Sequence, residues 1–319
     1  MTENRNSFAP AYLELHRSGE LAERAERACA HLKDCDLCAR YCCMNRLETV
    51  KGAVCRTGER AVVSSHGPHH GEEYPLRGTH GSGTIFFAWC NLRCVYCQNW
   101  DISQEGEGRE VTAAELAGMM LSMQRQGCHN INLVSPSHVV AQVLDAVSIA
   151  AQKGLCLPLV YNTGGYDSPE ALALLDGVVD IYMPDMKYGD SAVAIKYSKI
   201  RDYVAVNRAS VKEMHRQVGD LVLDGHRIAR RGLLVRHLVL PNELAGTEVV
   251  LRFIAEEVST NTYLNILGQF RPCHRANDYP ELTRRPRREE MRETFDLATR
   301  FGLKRLDGKS PVATMPAWL

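Results

Sequence analysis

From Thr84 onward the chain alternates short apolar runs with longer stretches of mixed polarity. Thr84–Trp89, Ile131–Val134, Leu157–Tyr161, Val178–Met183, Leu233–Leu240 and Tyr263–Leu267 are strand-like apolar runs, as expected of strands buried on both faces. Between them, Thr112–Gln126 and Val139–Lys153 have helical character. Thr112, followed three residues later by Glu115, spells a capping box. Asp167 and Ser168 before Pro169 predict a short helix over Pro169–Leu175. Met291–Phe301 reads as a closing amphipathic helix. Strands alternating with helices predict βαβ units, right-handed crossovers and a parallel sheet covered by helices. Six such units predict an α/β fold of the partial (β/α)6 barrel type rather than a closed eight-stranded barrel. Chemistry is then expected just after each strand, where barrels keep their reactive groups.

The chain before Thr84 reads differently. Ala11–Leu32 looks helical, Asp34–Gly58 is dense in cysteine and has little periodicity, and His66–Gly83, rich in Gly and His, reads as a loop or short irregular strands. The expected division is an N-terminal helical and cysteine-rich metal-binding segment over 1–78 and a core with a C-terminal helix over 79–319. No internal repeat or low-complexity linker interrupts it.

Composition changes the picture in two places. The 319 residues are 45% hydrophobic, enough for one large core, and Lys plus Arg (38) equals Asp plus Glu (38). A formal net charge of zero points neither to nucleic acid nor to an anionic membrane. The run Arg284, Arg285, Arg287 and Arg288 is followed at once by Glu289 and Glu290 and reads as a solvated helix start. Met1–Pro10 has no apolar segment of the secretory kind, and no run reaches the ~18 apolar residues of a membrane span, so a cytoplasmic location is expected. Twelve cysteines are many for such a chain. In a reducing compartment clustered cysteines suggest metal binding or catalysis rather than disulfides. Cys29, Cys128, Cys156 and Cys273 are scattered and read as small buried hydrophobes.

The first strand leads into Cys90, Cys94 and Cys97, spaced Cys-x3-Cys-x2-Cys. Thiolates bind iron–sulfur clusters, and the ferredoxin type uses four of them. Three leave one iron open to a ligand. Zinc is the competing reading, but a zinc knuckle wants a fourth ligand close by and none follows Cys97. This motif, with Tyr96 before the last cysteine, resembles that of the radical S-adenosylmethionine (SAM) superfamily. CNLRCVYCQN resembles the activating enzymes of glycyl radical enzymes, of the pyruvate formate-lyase-activating type. Together with GSGTIFFAWC, INLVSPSH, VYNTGGY, YMPDMKY and GLLVRHLVLPN it resembles an uncharacterised branch related to that activator, from about Cys35 to about Phe270. The resemblance implies a 4Fe–4S cluster whose open iron chelates SAM. It implies reductive cleavage of SAM to methionine and a 5′-deoxyadenosyl radical, followed by hydrogen abstraction. An electron donor such as flavodoxin or ferredoxin is then expected. A glycyl radical enzyme, a peptide and a small molecule all stand as substrates. An iron–sulfur redox protein that transfers electrons without SAM is the alternative from another class.

The other strand ends carry further candidates. Ser135, Ser137 and His138 follow the second strand, where most radical SAM proteins have a Gly-Gly-Glu-type turn. They can accept from the SAM ammonium, or cap the following helix instead. Asn162 and Thr163 precede Gly164 and Gly165, and the glycines permit close backbone approach to a ligand. In the activators the matching turn carries Asp where Asn162 stands. Asp185 and Lys187 are two apart after the fourth strand and face one way. By resemblance Lys187 contacts SAM, and Asp185 lies near the sulfonium or a monovalent cation. Arg236, His237 and Gln269 are either site residues or satisfied core groups. Glu72 and Glu73 read more readily as an exposed loop than as cleft residues.

A second group, Cys35, Cys38, Cys42 and Cys55, is spaced Cys-x2-Cys-x3-Cys-x12-Cys. Four thiolates make a closed site for zinc or a second iron–sulfur cluster. Cys43 is an alternative ligand beside Cys42.

Overall fold

The computed structural model describes residues 8–307. Residues 1–7 and 308–319, and with them most of the polar Met1–Pro10 start, lie outside the described residues. Among the described residues nine strands form the sheet: β1 (Ala61–His69), β2 (Ser82–Phe87), β3 (Arg109–Val111), β4 (Ile131–Val134), β5 (Leu159–Thr163), β6 (Ile181–Pro184), β7 (Val222–Leu223), β8 (Ala229–Leu238) and β9 (Tyr263–Leu267). Six of them, β2, β4, β5, β6, β8 and β9, are neighbours in that order and all parallel. No ladder joins β9 back to β2 among the described residues, so the barrel is partial. This is the expected (β/α)6 architecture.

The helices are α1 (Tyr12–Ser18), α2 (Glu20–Ala30), α3 (Tyr74–Arg77), α4 (Ala113–Arg125), α5 (Val140–Gln152), α6 (Pro169–Leu175), α7 (Ser191–Ser198), α8 (Tyr203–Val218), α9 (Thr247–Phe253) and α10 (Arg288–Arg300). The Thr112–Glu115 capping box starts α4, and Ser168 caps α6 through the Ala171 N–H. α5 is apolar nearly all round because it lies between α2 and α4. α2 buries the stripe Leu21, Ala25 and Ala28. Asp180, at the foot of β6, accepts from the Ala11 and Leu159 N–H groups at 2.8 and 3.0 Å and so ties the N-terminal helices to the barrel. Arg284 pairs with Glu290 at 2.7 Å at the start of α10. None of the described helices is long and apolar enough to cross a membrane.

The region His66–Gly83, expected as a loop or short irregular strands, holds strand at both ends and a short helix between. His66–His69 belongs to β1, Tyr74–Arg77 is a short helix, and Ser82 opens β2. β1 runs antiparallel to β2, with His66 opposite Ile85 and His69 opposite Ser82. Its outer half has polar, exposed side chains, so the hydrophobic pattern carries no signal there. Backbone pairing along β2 extends the strand instead. Pro68 is tolerated because β3 covers only Ala61–Val63 and leaves the other edge of that half free.

Candidate active site

The loop after β2 carries Cys90, Cys94 and Cys97, and it docks on the C-terminal turn of α7. The Arg93 and Val95 N–H groups donate to the Ser198 and Tyr197 carbonyls at 3.3 and 2.8 Å. A helix C-terminus has free carbonyls, and here the cysteine loop takes them up. Each of the three sulfurs has a donor at hand. Leu92 N–H reaches Cys90 Sγ at 3.4 Å, the Ser198 hydroxyl lies 3.0 Å from Cys94 Sγ, and the Ser103 hydroxyl lies 3.1 Å from Cys97 Sγ. Burial raises the Cys90 thiol to about 12 and raises Cys94 too, while Lys187 pulls both the other way. Cys94 is buried and Cys90 and Cys97 are half-buried; thiols so placed, with donors aimed at sulfur, suit a metal that holds them as thiolates, and the donor set fits a three-cysteine 4Fe–4S site.

Cys273 is not merely scattered. Its thiol donates to the Tyr96 and Cys97 carbonyls at 3.2 and 3.5 Å, so it buttresses the loop. Tyr96 is buried, and its hydroxyl meets Tyr188 at 2.6 Å; Tyr188 in turn meets Ser198 at 2.7 Å. A buried hydroxyl chain thus runs from Tyr96 to the sulfur of Cys94.

Lys187 and Asp185 follow β6 as expected and pair at 2.6 Å. Arg236 of β8 also takes Asp185, at 2.8 Å, and donates to the amide oxygen of Asn162 at 2.7 Å. Burial alone would raise Asp185, but Arg236 and Lys187 outweigh it and hold the carboxyl below its ordinary value. Burial would lower Lys187, and Asp185 overrides it in the opposite direction. Asn162 therefore serves Arg236 as a neutral acceptor, and Asp185 is shared between two cations.

Four expectations are corrected. Thr163 follows Asn162 and so faces the other way; it donates to Asp167 at 2.7 Å and lies 2.9 Å from Ser137. Both hydroxyls belong to a buried network behind the sheet, closed by Tyr161 on Asp167. His138 is also enclosed, bonds the Ala88 carbonyl at 3.0 Å, and is pushed down to about 3 by burial and then by Arg46. It lines the cavity of the N-terminal cysteines rather than the barrel mouth. Only Ser135 of that group stays partly exposed at its strand end, in a left-handed conformation (φ 59°). The close approach at the glycines is to protein: a Cβ on Gly165 would lie 2.2 Å from Asn207 Nδ2 and 2.4 Å from the Asp185 carbonyl.

His237 is a satisfied core group, held by the Met186 carbonyl and Thr247. Glu72 and Glu73, expected in an exposed loop, line a cavity of about 320 Å3 with Asn162, Arg236, Asn265 and Gln269. Glu73 is buried; one of its oxygens accepts from Asn265 at 2.9 Å and the other has no donor. A larger cleft of about 650 Å3 lies between α9 and α10, but none of Ser135, Asn162, Asp185, Lys187 and Arg236 lines it. We place the site at the smaller cavity because its lining includes Asn162 and Arg236 from the strand ends.

Cys35, Cys38, Cys42 and Cys55 come together around one small cavity, with Arg46 and His138 in its wall. Cys43 is exposed, and all twelve cysteines are free thiols. Among the described residues no three Cys, His, Asp or Glu side chains are arranged to hold a single metal ion.

Residues 84–254, just over half of the chain, match the Radical SAM superfamily. An uncharacterised protein of Methanocaldococcus jannaschii is 32% identical over 281 residues, 85% of this chain and 76% of its own length. Among solved structures, Streptococcus suis SuiB bound to precursor peptide SuiA aligns with 67% of this chain and 44% of its own at 10% identity and a TM-score of 0.46. The FeFe-hydrogenase maturase HydG from Carboxydothermus hydrogenoformans aligns with 68% of this chain and 50% of its own at 10% identity and a TM-score of 0.48. The chain thus spans half or less of these two solved chains.

Proposed function

This chain belongs to the radical SAM superfamily, and on that premise we propose that Cys90, Cys94 and Cys97 hold its 4Fe–4S cluster and that Asn162, Asp185, Lys187 and Arg236 edge the SAM site. When bound, cluster and SAM supply a 5′-deoxyadenosyl radical that takes a hydrogen atom from substrate. The protein's part is positioning. The cysteine loop, fixed to α7, holds three thiolates and leaves the fourth corner of a cube without one. Cys273, a further thiol beside the motif, is spent on the Tyr96 and Cys97 carbonyls. Lys187 offers a cation to a carboxylate or ribose oxygen, and Arg236 keeps Asp185 in place beside it.

The observation that carries this reading is the set of three sulfurs on one loop, Cys94 buried and Cys90 and Cys97 half-buried, each with its own donor. Its test is the Cys90→Ala/Cys94→Ala/Cys97→Ala variant, reconstituted anaerobically and reduced. The variant should keep its fold and form no 5′-deoxyadenosine. Cleavage at the parent rate would remove the cluster from these residues.

The activator-type loop supports a backbone glycine of a partner protein as the hydrogen donor, with flavodoxin or ferredoxin as the electron source. The polar cavity around Glu72, Glu73, Asn265 and Gln269 favours a second reading, a small polar molecule or peptide as substrate. A glycyl radical signal in a co-incubated glycyl radical enzyme selects the first. Its absence, with a modified small molecule or peptide found by mass spectrometry, selects the second.

A further inference from the structure

Arg46 is 3% exposed, and none of the ion pairs among the described residues includes it. Its Nε and Nη2 donate to the Thr57 and Gly58 carbonyls at 2.6 and 3.3 Å, and its Nη1 points at Cys35 Sγ at 3.4 Å. Carbonyls satisfy the N–H groups but not the charge. A buried cation without a counter-anion costs several kcal/mol, so the fold of this segment calls for negative charge in the cavity that Arg46 faces. The cavity wall supplies it only through Cys35, Cys38, Cys42 and Cys55, and only as thiolates. Four neutral thiols would leave Arg46 unmatched, and four bare thiolates in one cavity would repel each other. A metal resolves both conditions, because a four-thiolate centre holds the sulfurs ionised and keeps net negative charge.

The segment is built around that cavity. Residues 34–60 contain no helix or strand. They are held by turns such as Cys43 N–H to the Cys35 carbonyl (3.1 Å) and Cys35 N–H to the Met44 carbonyl (3.1 Å). Without disulfides, a centre at its middle is the natural staple.

Zinc and an iron–sulfur cluster both suit four thiolates; the contacts of this segment with the Cys90 loop favour the redox-active one.

Contacts also join this segment to the Cys90 loop. Arg40 Nε donates to the Asn91 carbonyl at 2.7 Å, and Arg93 Nη2 donates to the Val54 carbonyl at 2.6 Å. The Arg56 guanidinium lies 5.2 Å from the Trp89 ring.

We propose that Cys35, Cys38, Cys42 and Cys55 bind a second, closed iron–sulfur centre, charge-balanced by Arg46, that takes single electrons from a low-potential carrier protein and passes them to the Cys90 loop. The carrier loses one electron and the centre gains one; no proton or bond changes hands. Only the acceptor rests on the function proposed above.

The test uses the full chain with Cys90, Cys94 and Cys97 changed to Ala, so that the first site is silent. After anaerobic reconstitution this variant should keep about four irons and four sulfides per chain, against about eight of each in the parent. Reduced flavodoxin should then produce an electron paramagnetic resonance signal approaching one spin per chain. Adding Cys42→Ser should abolish both, whereas adding Cys43→Ser should leave both. Zinc in place of iron, no metal, or iron that reduced flavodoxin leaves silent would each overturn the proposal. None of these results depends on SAM cleavage, so failure here is distinct from failure of the radical SAM assignment.

Discussion

Arg236 and Asp185 are joined across 2.8 Å from neighbouring strand ends, and the same carboxylate takes Lys187 at 2.6 Å on its other oxygen. Asp185 is thus the shared counter-charge of two enclosed cations rather than an acid free to face a sulfonium. Asp185→Asn should leave Lys187 without its carboxylate and Arg236 with only the longer Glu73 pair at 3.9 Å, and so lower the unfolding free energy of the apo-protein by about 3 kcal/mol. Lys187→Ala keeps the Asp185–Arg236 pair and should cost clearly less. In the loaded protein, however, Lys187→Ala should weaken SAM binding about 10- to 100-fold, the loss of one charged hydrogen bond. Urea titrations of both variants check the first expectation, and SAM titrations check the second. Equal stability losses would show that Arg236 does not hold the carboxylate.

The Ser198 hydroxyl lies 3.0 Å from Cys94 Sγ and is itself held by Tyr188. Hydrogen bonds to cluster sulfurs favour the reduced, more negative state and so raise the reduction potential. Ser198→Ala should therefore lower the potential of the Cys90–Cys97 cluster while iron content stays the same. A potentiometric titration followed by electron paramagnetic resonance measures this directly. A potential equal to or above that of the parent would mean that the hydroxyl does not serve the sulfur.

Gly165 has φ 73°, and an added Cβ there would press on Asn207 Nδ2 and the Asp185 carbonyl. Asn207 bonds both the Gly165 and Asp185 carbonyls at 2.9 Å, so it has no room to retreat. Gly165→Ala should destabilise the protein by about 2–4 kcal/mol, from left-handed strain and overpacking together. Gly154→Ala, also at positive φ but with open space around it, serves as the control and should cost about 1 kcal/mol. Chemical denaturation of the two side by side is the measurement; similar losses would show that strain alone matters at Gly165.

What the sequence discloses and what it hides divide along physical lines. The six parallel strands are legible because burial on both faces makes them continuous apolar runs, and α4 because Thr112 and Glu115 cap it through contacts three residues apart. Cys90, Cys94 and Cys97 are legible because one loop carries all three. The donors on their sulfurs are not, since Ser198 reaches Cys94 from 104 residues away. Nor is the Arg236 contact to Asn162, 74 residues apart. The strand order alone brings them together. β3, at the sheet edge, and the outer half of β1, whose far edge is free, carry little hydrophobic period because their side chains are polar and exposed. Thr163 and Asn162 are adjacent in sequence, yet β pleating sends them to opposite faces, so a motif read as a block over-assigns one of them.

Glu72 gives the fold a pH-dependent contribution. Burial first, and then the neighbouring charge of Glu73, raise its carboxyl to about 7. An unfolded glutamate titrates near 4.3. Between those values the folded chain holds a proton that the unfolded chain has released. The resulting stabilisation is fully present below about pH 4 and is lost as pH rises through about 7. Asp180, also raised to about 7 chiefly by burial, loses its contribution in the same window, so the parent's slope alone does not isolate Glu72. The comparison with Glu72→Gln does. Gln stays neutral at every pH, so the variant should gain on the parent by on the order of 1–2 kcal/mol between pH 5 and pH 8, allowing for partial exposure. Urea unfolding of both proteins at pH 5, 6, 7 and 8 measures it. A constant difference across that range would place the titration of Glu72 outside this window and remove the charge conflict with Glu73 that the cavity imposes.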